Sequence, residues 1–90
     1  MPQAIVNPEE LEGFAHNLKQ FNEQLRQNVS RLNGQFKNLG STWQDQENQR
    51  FAHEYQQTMK VIERFLQISN EQIPFLQRKA QRARDYLSQR

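Results

Sequence analysis

Residues 39–45, with the sequence Leu-Gly-Ser-Thr-Trp-Gln-Asp, separate two long segments of helical periodicity. This stretch is the only cluster of helix-breaking residues between those segments, and it contains the only tryptophan of the chain. Gly40 is expected to end the first helix with a positive φ, because it has no Cβ to clash there. The serine, threonine and aspartate that follow carry side-chain oxygens that accept hydrogen bonds from the free amides of a new helix. The stretch therefore predicts a turn between two helices, with Trp43 at the bend.

Length and composition are typical of a single domain made of long amphipathic helices. The chain has 90 residues, of which 34% are hydrophobic, and its uncharged polar residues are mostly Gln and Asn. Each amphipathic helix needs only one apolar stripe. Two such helices form a thin rod that buries a small fraction of its surface, so a partner chain is expected.

Several functional classes find no support in the composition. The absence of cysteine excludes disulfides and thiolate metal sites. No apolar run approaches the ~20 residues needed to span a bilayer, and the first residues lack the features of an ordinary signal peptide. The net charge of +2 is too small to argue for nucleic acid by itself.

The first helix is predicted over about residues 8–39, after a short extended lead at residues 1–6. Asn7 is suited to cap it, with Pro8 at the first helical position and Glu10 three residues after the cap. One apolar stripe then follows at spacings of three and four residues: Leu11, Phe14, Leu18, Phe21, Leu25, Val29, Leu32, Phe36 and Leu39. The residues of this stripe that we expect in the hairpin core are Leu11, Phe14, Leu18, Phe21, Leu25, Leu32 and Leu39.

The second helix is predicted over about residues 45–88, after a turn at residues 40–44. Two heptad columns form a seam suited to packing on the first helix. One column contains Tyr55, Ile62, Ser69, Leu76 and Ala83, and the other contains Met59, Leu66, Ile73, Ala80 and Leu87. The expected architecture is an all-α antiparallel two-helix hairpin.

The second helix also carries a further apolar stripe, rotated by about 100° from the seam. One partner helix cannot cover two stripes so far apart. Because large exposed apolar patches usually mark interaction sites, we expect another subunit to cover this stripe in a four-helix bundle. The predicted dimer interface consists of Val61, Phe65, Ile68, Phe75 and Tyr86.

Pro74 interrupts the hydrogen bonding of the second helix and costs ~3 kcal/mol in a helix interior. The heptad columns pass through it without a change of phase, which favours a kinked but continuous helix. The alternative is a break near Ser69 and Asn70, with Ser69 capping a separate terminal helix.

No catalytic or metal-binding arrangement emerges from the sequence. His16 and His53 lie on different helices and are interpreted as surface residues. No nucleophile with its base, phosphate loop or inward-facing carboxylate pair is present. A thin hairpin also offers no deep pocket for a small molecule. We expect a protein that is not an enzyme and that uses no cofactor or metal.

The C-terminal part of the second helix is basic, with five cations against Asp85: Arg78, Lys79, Arg82, Arg84 and Arg90. These residues indicate either contact with an acidic partner, nucleic acid or membrane, or cations favoured at a helix C-terminus by the dipole. The second interpretation is preferred. No aromatic residues interleave the basic ones as binding to single-stranded nucleic acid would require.

The turn and its neighbours resemble the WXG family of small helical-hairpin proteins, the early-secreted-antigen-like substrates of type VII (ESX) secretion. The resemblance covers nearly the whole chain, including the lead from Ile5 to Leu11. The family places Trp-x-Gly at the bend, where this chain has Trp43, Gln44 and Asp45, and an aromatic residue eight positions after the tryptophan, here Phe51.

The resemblance implies two hairpins packed antiparallel into a four-helix bundle, as a homodimer or as a heterodimer with a related hairpin. It also implies that Trp43, Asp45 and Phe51 belong to a surface presented to a hexameric secretion ATPase. Trp43 is then an exposed anchor, whereas its alternative role is a plug packed against Leu39 or Phe36.

Two positions depart from the family pattern. Asp45 replaces the glycine, and it is expected to cap the second helix instead. The family's C-terminal export signal is a Tyr followed four residues later by an acid, whereas Tyr86 is followed at that distance by Arg90. Either the signal lies on a partner, or this chain is a divergent member that is no longer cargo.

Three functions follow, in order of preference. The first is a type VII-like secretion substrate or export adaptor that is cytoplasmic before export and leaves the cell without a signal peptide. The second is a cytoplasmic scaffold or chaperone-like bundle that binds a larger protein through Phe65, Ile68 and Phe75. The third, binding of nucleic acid or an anionic membrane by the basic C-terminus, is the least supported.

Overall fold

The computed structural model describes residues 6–89 and contains two helices, α1 (Pro8–Gly40) and α2 (Gln46–Ser88). They pack antiparallel as one hairpin, with extents of 68 × 21 × 14 Å. The predicted all-α antiparallel hairpin is confirmed. Most of the predicted extended lead, and Arg90, lie outside the described residues.

The start of α1 is held by the side chain of Asn7. Its Oδ1 accepts hydrogen bonds from the backbone amides of Glu9 and Glu10, at 2.9 and 3.3 Å. Pro8 is buried at the start of the helix, where its missing N–H costs nothing.

The end of α1 differs from the prediction for Gly40. This glycine is the last helical residue, and none of the residues 6–89 that the structure describes has a positive φ. The hydroxyls of Ser41 and Thr42 donate to the carbonyls of Asn38 and Leu39, at 2.7 and 3.2 Å. Since side chains satisfy these terminal carbonyls, the left-handed glycine that usually does so is not required. The prediction of a positive φ was wrong.

The helix α2 runs without interruption through Pro74. Ser69 lies buried in its interior and does not act as a cap. The alternative of a break near Ser69 was therefore wrong. The buried seam of this helix follows the two predicted heptad columns as far as Ala83 and contains Leu66, Ser69, Ile73, Ala80 and Ala83, with Tyr55, Met59, Ile62 and Leu76 half-buried. Leu87, the last residue predicted in these columns, is 37% exposed.

Two buried residues in the seam of α1 lie outside the predicted apolar stripe. Ala15 and Asn22 are buried, and half-buried residues of the stripe flank them: Leu11, Leu18, Leu25, Val29 and Phe36. Ala15, Asn22, Val29 and Phe36 form a heptad column of their own. Because Ala15 is small and Asn22 is polar, a search for large apolar residues does not detect this column.

Four residues predicted in the hairpin core are exposed instead: Phe14 (59%), Phe21 (53%), Leu32 (45%) and Leu39 (42%). The reason is geometric. Ala15 and Asn22 are buried one residue, or about 100°, round the helix from Phe14 and Phe21, so the seam lies to one side of the predicted stripe. One neighbouring helix covers only one side of it.

A polar contact lies at the centre of the seam. The Asn22 side-chain amide donates to the Ser69 hydroxyl at 2.8 Å and to the Asn70 side-chain oxygen at 3.0 Å. The Oδ1 atom of Asn22 is buried without a partner within the described residues. This contact fixes the height of α1 against α2, because a slip of either helix would leave more polar atoms unpaired.

Replacing Asn22→Ala is expected to lower the free energy of unfolding by about 1–3 kcal/mol, because it leaves buried polar groups on α2 without their donor. Urea unfolding followed by circular dichroism measures this change. The matched control is Asn17→Ala, at an exposed position of the same helix. Equal effects of the two substitutions would contradict the proposed role of the polar contact.

Candidate functional site

Four aromatic rings gather at the turn end of the hairpin. The rings of Phe36 and Tyr55 stack across the seam with centroids 4.2 Å apart. Phe51, one helical turn before Tyr55, lies 6.0 Å from each of them. Trp43 reaches this group through Phe51, at 5.7 Å. The turn is thus anchored to both helices by aromatic contacts, each worth roughly 0.5–1.5 kcal/mol beyond its buried area.

Trp43 is neither fully exposed nor fully buried at the turn. Its ring is half-buried and packs on Phe51, which itself is 41% exposed. Its backbone amide donates to the Leu39 carbonyl at 2.9 Å, which holds the turn. The pair formed by Trp43 and Phe51 therefore leaves a partly exposed aromatic surface on a fixed support.

The polar support of this cluster was not predicted from the sequence. The Tyr55 hydroxyl donates to the Asn33 side-chain oxygen at 2.6 Å, which links α2 to α1 beside the stacked rings. The heptad pattern predicts Tyr55 only as a seam residue. The only available signal was that a half-buried tyrosine usually finds a hydrogen-bond partner for its hydroxyl.

Asp45 begins α2 as its N-cap. Its Oδ1 accepts from the Asn48 amide at 3.0 Å, and its backbone is extended, with φ −104° and ψ −177°. Such a backbone does not require glycine, and a carboxylate is favourable at the positive end of a helix dipole. Aspartate in place of the family glycine thus supports the turn.

A second surface, which we call the apolar face, runs along one side of the hairpin. Its α2 half consists of Val61 (70% exposed), Phe65, Ile68, Phe75 and Tyr86. Phe65 meets Phe21 edge to face, with centroids 6.2 Å apart, so both helices contribute to the same side. The α1 half is the set found exposed above: Phe14, Phe21, Leu32 and Leu39.

The sequence predicted only the α2 half of this face. The α1 half was missed because its residues were assigned to the hairpin core. The heptad column of Ala15, Asn22, Val29 and Phe36 was the signal that could have separated the two, since it already supplies a second row of seam residues.

The histidines and one arginine of the basic C-terminal part do not form a further site. His16 and His53 are both exposed. Arg84, in the basic C-terminal part, forms an ion pair with Glu12 of α1. Within residues 6–89, no group of three or more potential metal ligands lies together, and neither helix has a segment long and apolar enough to cross a membrane.

The fold and turn define a class of protein: an antiparallel helical hairpin with an aromatic bend. The family model described as "Proteins of 100 residues with WXG" matches residues 3–86, and the chain belongs to this WXG100 family. No curated protein sequence gives a significant match.

Two solved structures share the fold at 26% sequence identity. One is a secreted protein, EsxB, from Bacillus anthracis str. Sterne, with a TM-score of 0.76 over 96% of this chain and 98% of that chain. The other is a glycine-to-alanine mutant of EsxB, with a TM-score of 0.75 over 94% and 98%. The resemblance to early-secreted-antigen-like hairpins is confirmed at the level of family and fold.

The capping role of Asp45 predicts different losses of stability for two substitutions at this position. Asp45→Ala should lower the unfolding free energy by about 1 kcal/mol, because the Asn48 amide loses its acceptor. Asp45→Gly, which restores the family residue, should cost only a few tenths of a kcal/mol, because glycine is itself a tolerated N-cap. Thermal unfolding of both variants checks the order. If glycine were the more damaging residue, the capping role assigned to Asp45 would be wrong.

Proposed function

We propose that this chain is a non-enzymatic interaction protein, exported as a folded dimer by a type VII (ESX)-like route or acting there as an export adaptor. Membership of the WXG100 family and similarity to a secreted hairpin protein support this role. The observation that carries the proposal is the uncovered apolar face, because it requires a partner of matching shape.

Burial of the apolar face against a second hairpin is more favourable than its exposure to solvent. Val61, Phe75 and Phe14 are each more than half exposed. Their helical spacing from Phe65 and Phe21, whose rings meet, places them on the same side of the hairpin. A continuous apolar surface along both helices is too extensive to be typical of a free monomer. A hairpin of similar length would cover it along its whole length and form a four-helix bundle.

The turn end is proposed as the surface that the secretion machinery recognises. Trp43 and Phe51 expose part of an aromatic pair there, while Asp45 and the stacked rings beneath keep the pair in place. Rigid aromatic anchors lose little conformational entropy on binding and are common at the centres of interfaces. A secretion ATPase is the partner that the family resemblance implies.

The position of the surface relative to the dimer face also favours this role. The aromatic pair lies at the end of a long rod, whereas the apolar face extends along its side. Both surfaces are therefore available at the same time, so a covered dimer still presents its turn to a third protein.

Export is the test of the proposal. Deleting the gene for the type VII ATPase in the source organism should abolish the protein's appearance in culture supernatant, with a cytoplasmic enzyme as the lysis control. Val61→Glu, which places a charge on the apolar face, should reduce export at least severalfold without disturbing contacts inside the hairpin, because Val61 is 70% exposed within it.

The matched control is Gln56→Glu, at an exposed position about 140° round the helix from Val61. Export that persists without the ATPase would contradict the secretion role. A stable stoichiometric complex with a larger protein inside the cell, with nothing outside it, would support the cytoplasmic scaffold instead.

A further inference from the structure

We infer that Asn33 is a site of self-modification, at which the side-chain amide is converted to a carboxylate when the last turns of α1 unwind. The reaction is deamidation through a cyclic succinimide, and it needs no enzyme. It does not depend on export, because it concerns this chain alone. Three features point to it: one dipeptide, the hydrogen bond that holds its asparagine, and its position beside the aromatic rings of the turn end.

Asn33 is the only asparagine of the chain that is followed by a glycine. The backbone nitrogen after an asparagine can attack that asparagine's side-chain carbonyl carbon, and a side chain on the attacking residue hinders the approach. Gly34 has no side chain, and glycine reaches backbone conformations that other residues rarely adopt. Among the asparagines of this chain, the local sequence therefore favours the reaction most at Asn33.

The reaction requires only water as a co-reactant. The Gly34 nitrogen loses its proton and forms a bond to the Cγ atom of Asn33, while the bond from Cγ to Nδ2 breaks and ammonia leaves with the proton. Water then opens the succinimide ring at either of its two carbonyls. One product is aspartate, and the other is isoaspartate, whose main chain runs through the side-chain carbon atoms.

The folded hairpin restrains both reacting groups. Gly34 lies inside α1, so its N–H is engaged in the helical hydrogen bond to the Ser30 carbonyl. The side-chain oxygen of Asn33 accepts a hydrogen bond from the Tyr55 hydroxyl at 2.6 Å, which holds the amide toward α2. Both hydrogen bonds must open before the two atoms meet, so the reaction requires local unwinding of α1.

The site is open to water, and its glycine is not needed for packing. Asn33 and Gly34 are exposed and line an open groove together with Tyr55 and Gln56. A Cβ at Gly34 would meet no atom within 4 Å. Gly34 and Gly40 both lie in the last two turns of α1, and glycine is unfavourable within a helix, so this end unwinds more easily than the rest.

Isoaspartate at position 33 disrupts the turn end. It adds a methylene group to the main chain, which shifts the later residues of α1 out of the helical hydrogen-bond pattern. Phe36, in the next turn, stacks on Tyr55 with centroids 4.2 Å apart. Trp43 reaches the same rings through Phe51. The modification therefore removes the fixed support of the aromatic pair at the turn.

Ageing of the purified chain at mildly alkaline pH tests the inference, with peptide mass spectrometry measuring the converted fraction of Asn33. The same chain denatured in guanidinium chloride gives the rate without the fold. Asn33 should convert at least about tenfold more slowly in the folded hairpin, because only the unwound fraction reacts. In the denatured chain, Asn33 should convert before every other asparagine.

Gly34→Ala tests the role of the dipeptide. It should slow the conversion of Asn33 at least severalfold in the denatured chain, because the new Cβ hinders the attack. The open space around Gly34 allows the hairpin to keep its fold. The matched control is Gly13→Ala, which also has open space around it and follows Glu12 instead of an asparagine. It should leave the rate in the denatured chain unchanged.

Tyr55→Phe tests the role of the hydrogen bond, because it keeps the ring and removes only the hydroxyl. It should speed the conversion severalfold in the folded hairpin and leave the rate in the denatured chain unchanged. Tyr86→Phe, which changes an exposed ring elsewhere on α2, is the matched control and should change neither rate.

Three results would overturn the inference. Equal rates in the folded and denatured chains would exclude control of the reaction by unwinding of α1. Earlier conversion of another asparagine in the denatured chain, or an unchanged rate in denatured Gly34→Ala, would exclude Asn33 as the favoured site. Slower conversion of folded Tyr55→Phe would contradict the restraining role of the Tyr55 hydroxyl.

Discussion

One helix can bury only one side of its neighbour, and the rest of this structure depends on that constraint. In a two-helix hairpin each helix buries one side, and here both helices carry apolar residues on a second side as well. The apolar face contains nine hydrophobic residues that are 42–70% exposed: Phe14, Phe21, Leu32, Leu39, Val61, Phe65, Ile68, Phe75 and Tyr86. Complete burial of such a side chain contributes roughly 1.5–3 kcal/mol. The stabilisation that the single hairpin leaves unused is therefore comparable to the ~5–15 kcal/mol that holds an ordinary domain together.

The turn has a separate structural role: it joins the two long helices and fixes the angle and the axial position of one relative to the other. Hydroxyls of Ser41 and Thr42 end α1, and Asp45 begins α2. The aromatic rings then lock the bend to both helices, while the Asn22 contact sets their height farther along the seam. Because the turn and the seam are fixed separately from the apolar face, the protein presents two surfaces that do not compete.

Periodicity was enough to predict the two helices, their antiparallel packing and the α2 half of the apolar face. It failed on α1, where Phe14 and Phe21 were placed in the core and Ala15 and Asn22 were overlooked. Hydrophobicity identifies large apolar residues but does not say which of two neighbouring helices will cover them. It also misses a buried amide, whose role depends on Ser69 and Asn70 across the seam. At the turn, the general preference for glycine predicted a positive φ that nearby hydroxyls made unnecessary.

The central claim is that the hairpin completes its core only by association. The most direct measurement is thermal unfolding of the purified chain over a wide range of protein concentrations, with the molar mass of the folded species determined by light scattering. The account predicts a folded species of twice the 10.8 kDa chain mass and an unfolding midpoint that rises with concentration. A fully helical species of 10.8 kDa, with a midpoint independent of concentration, would contradict it.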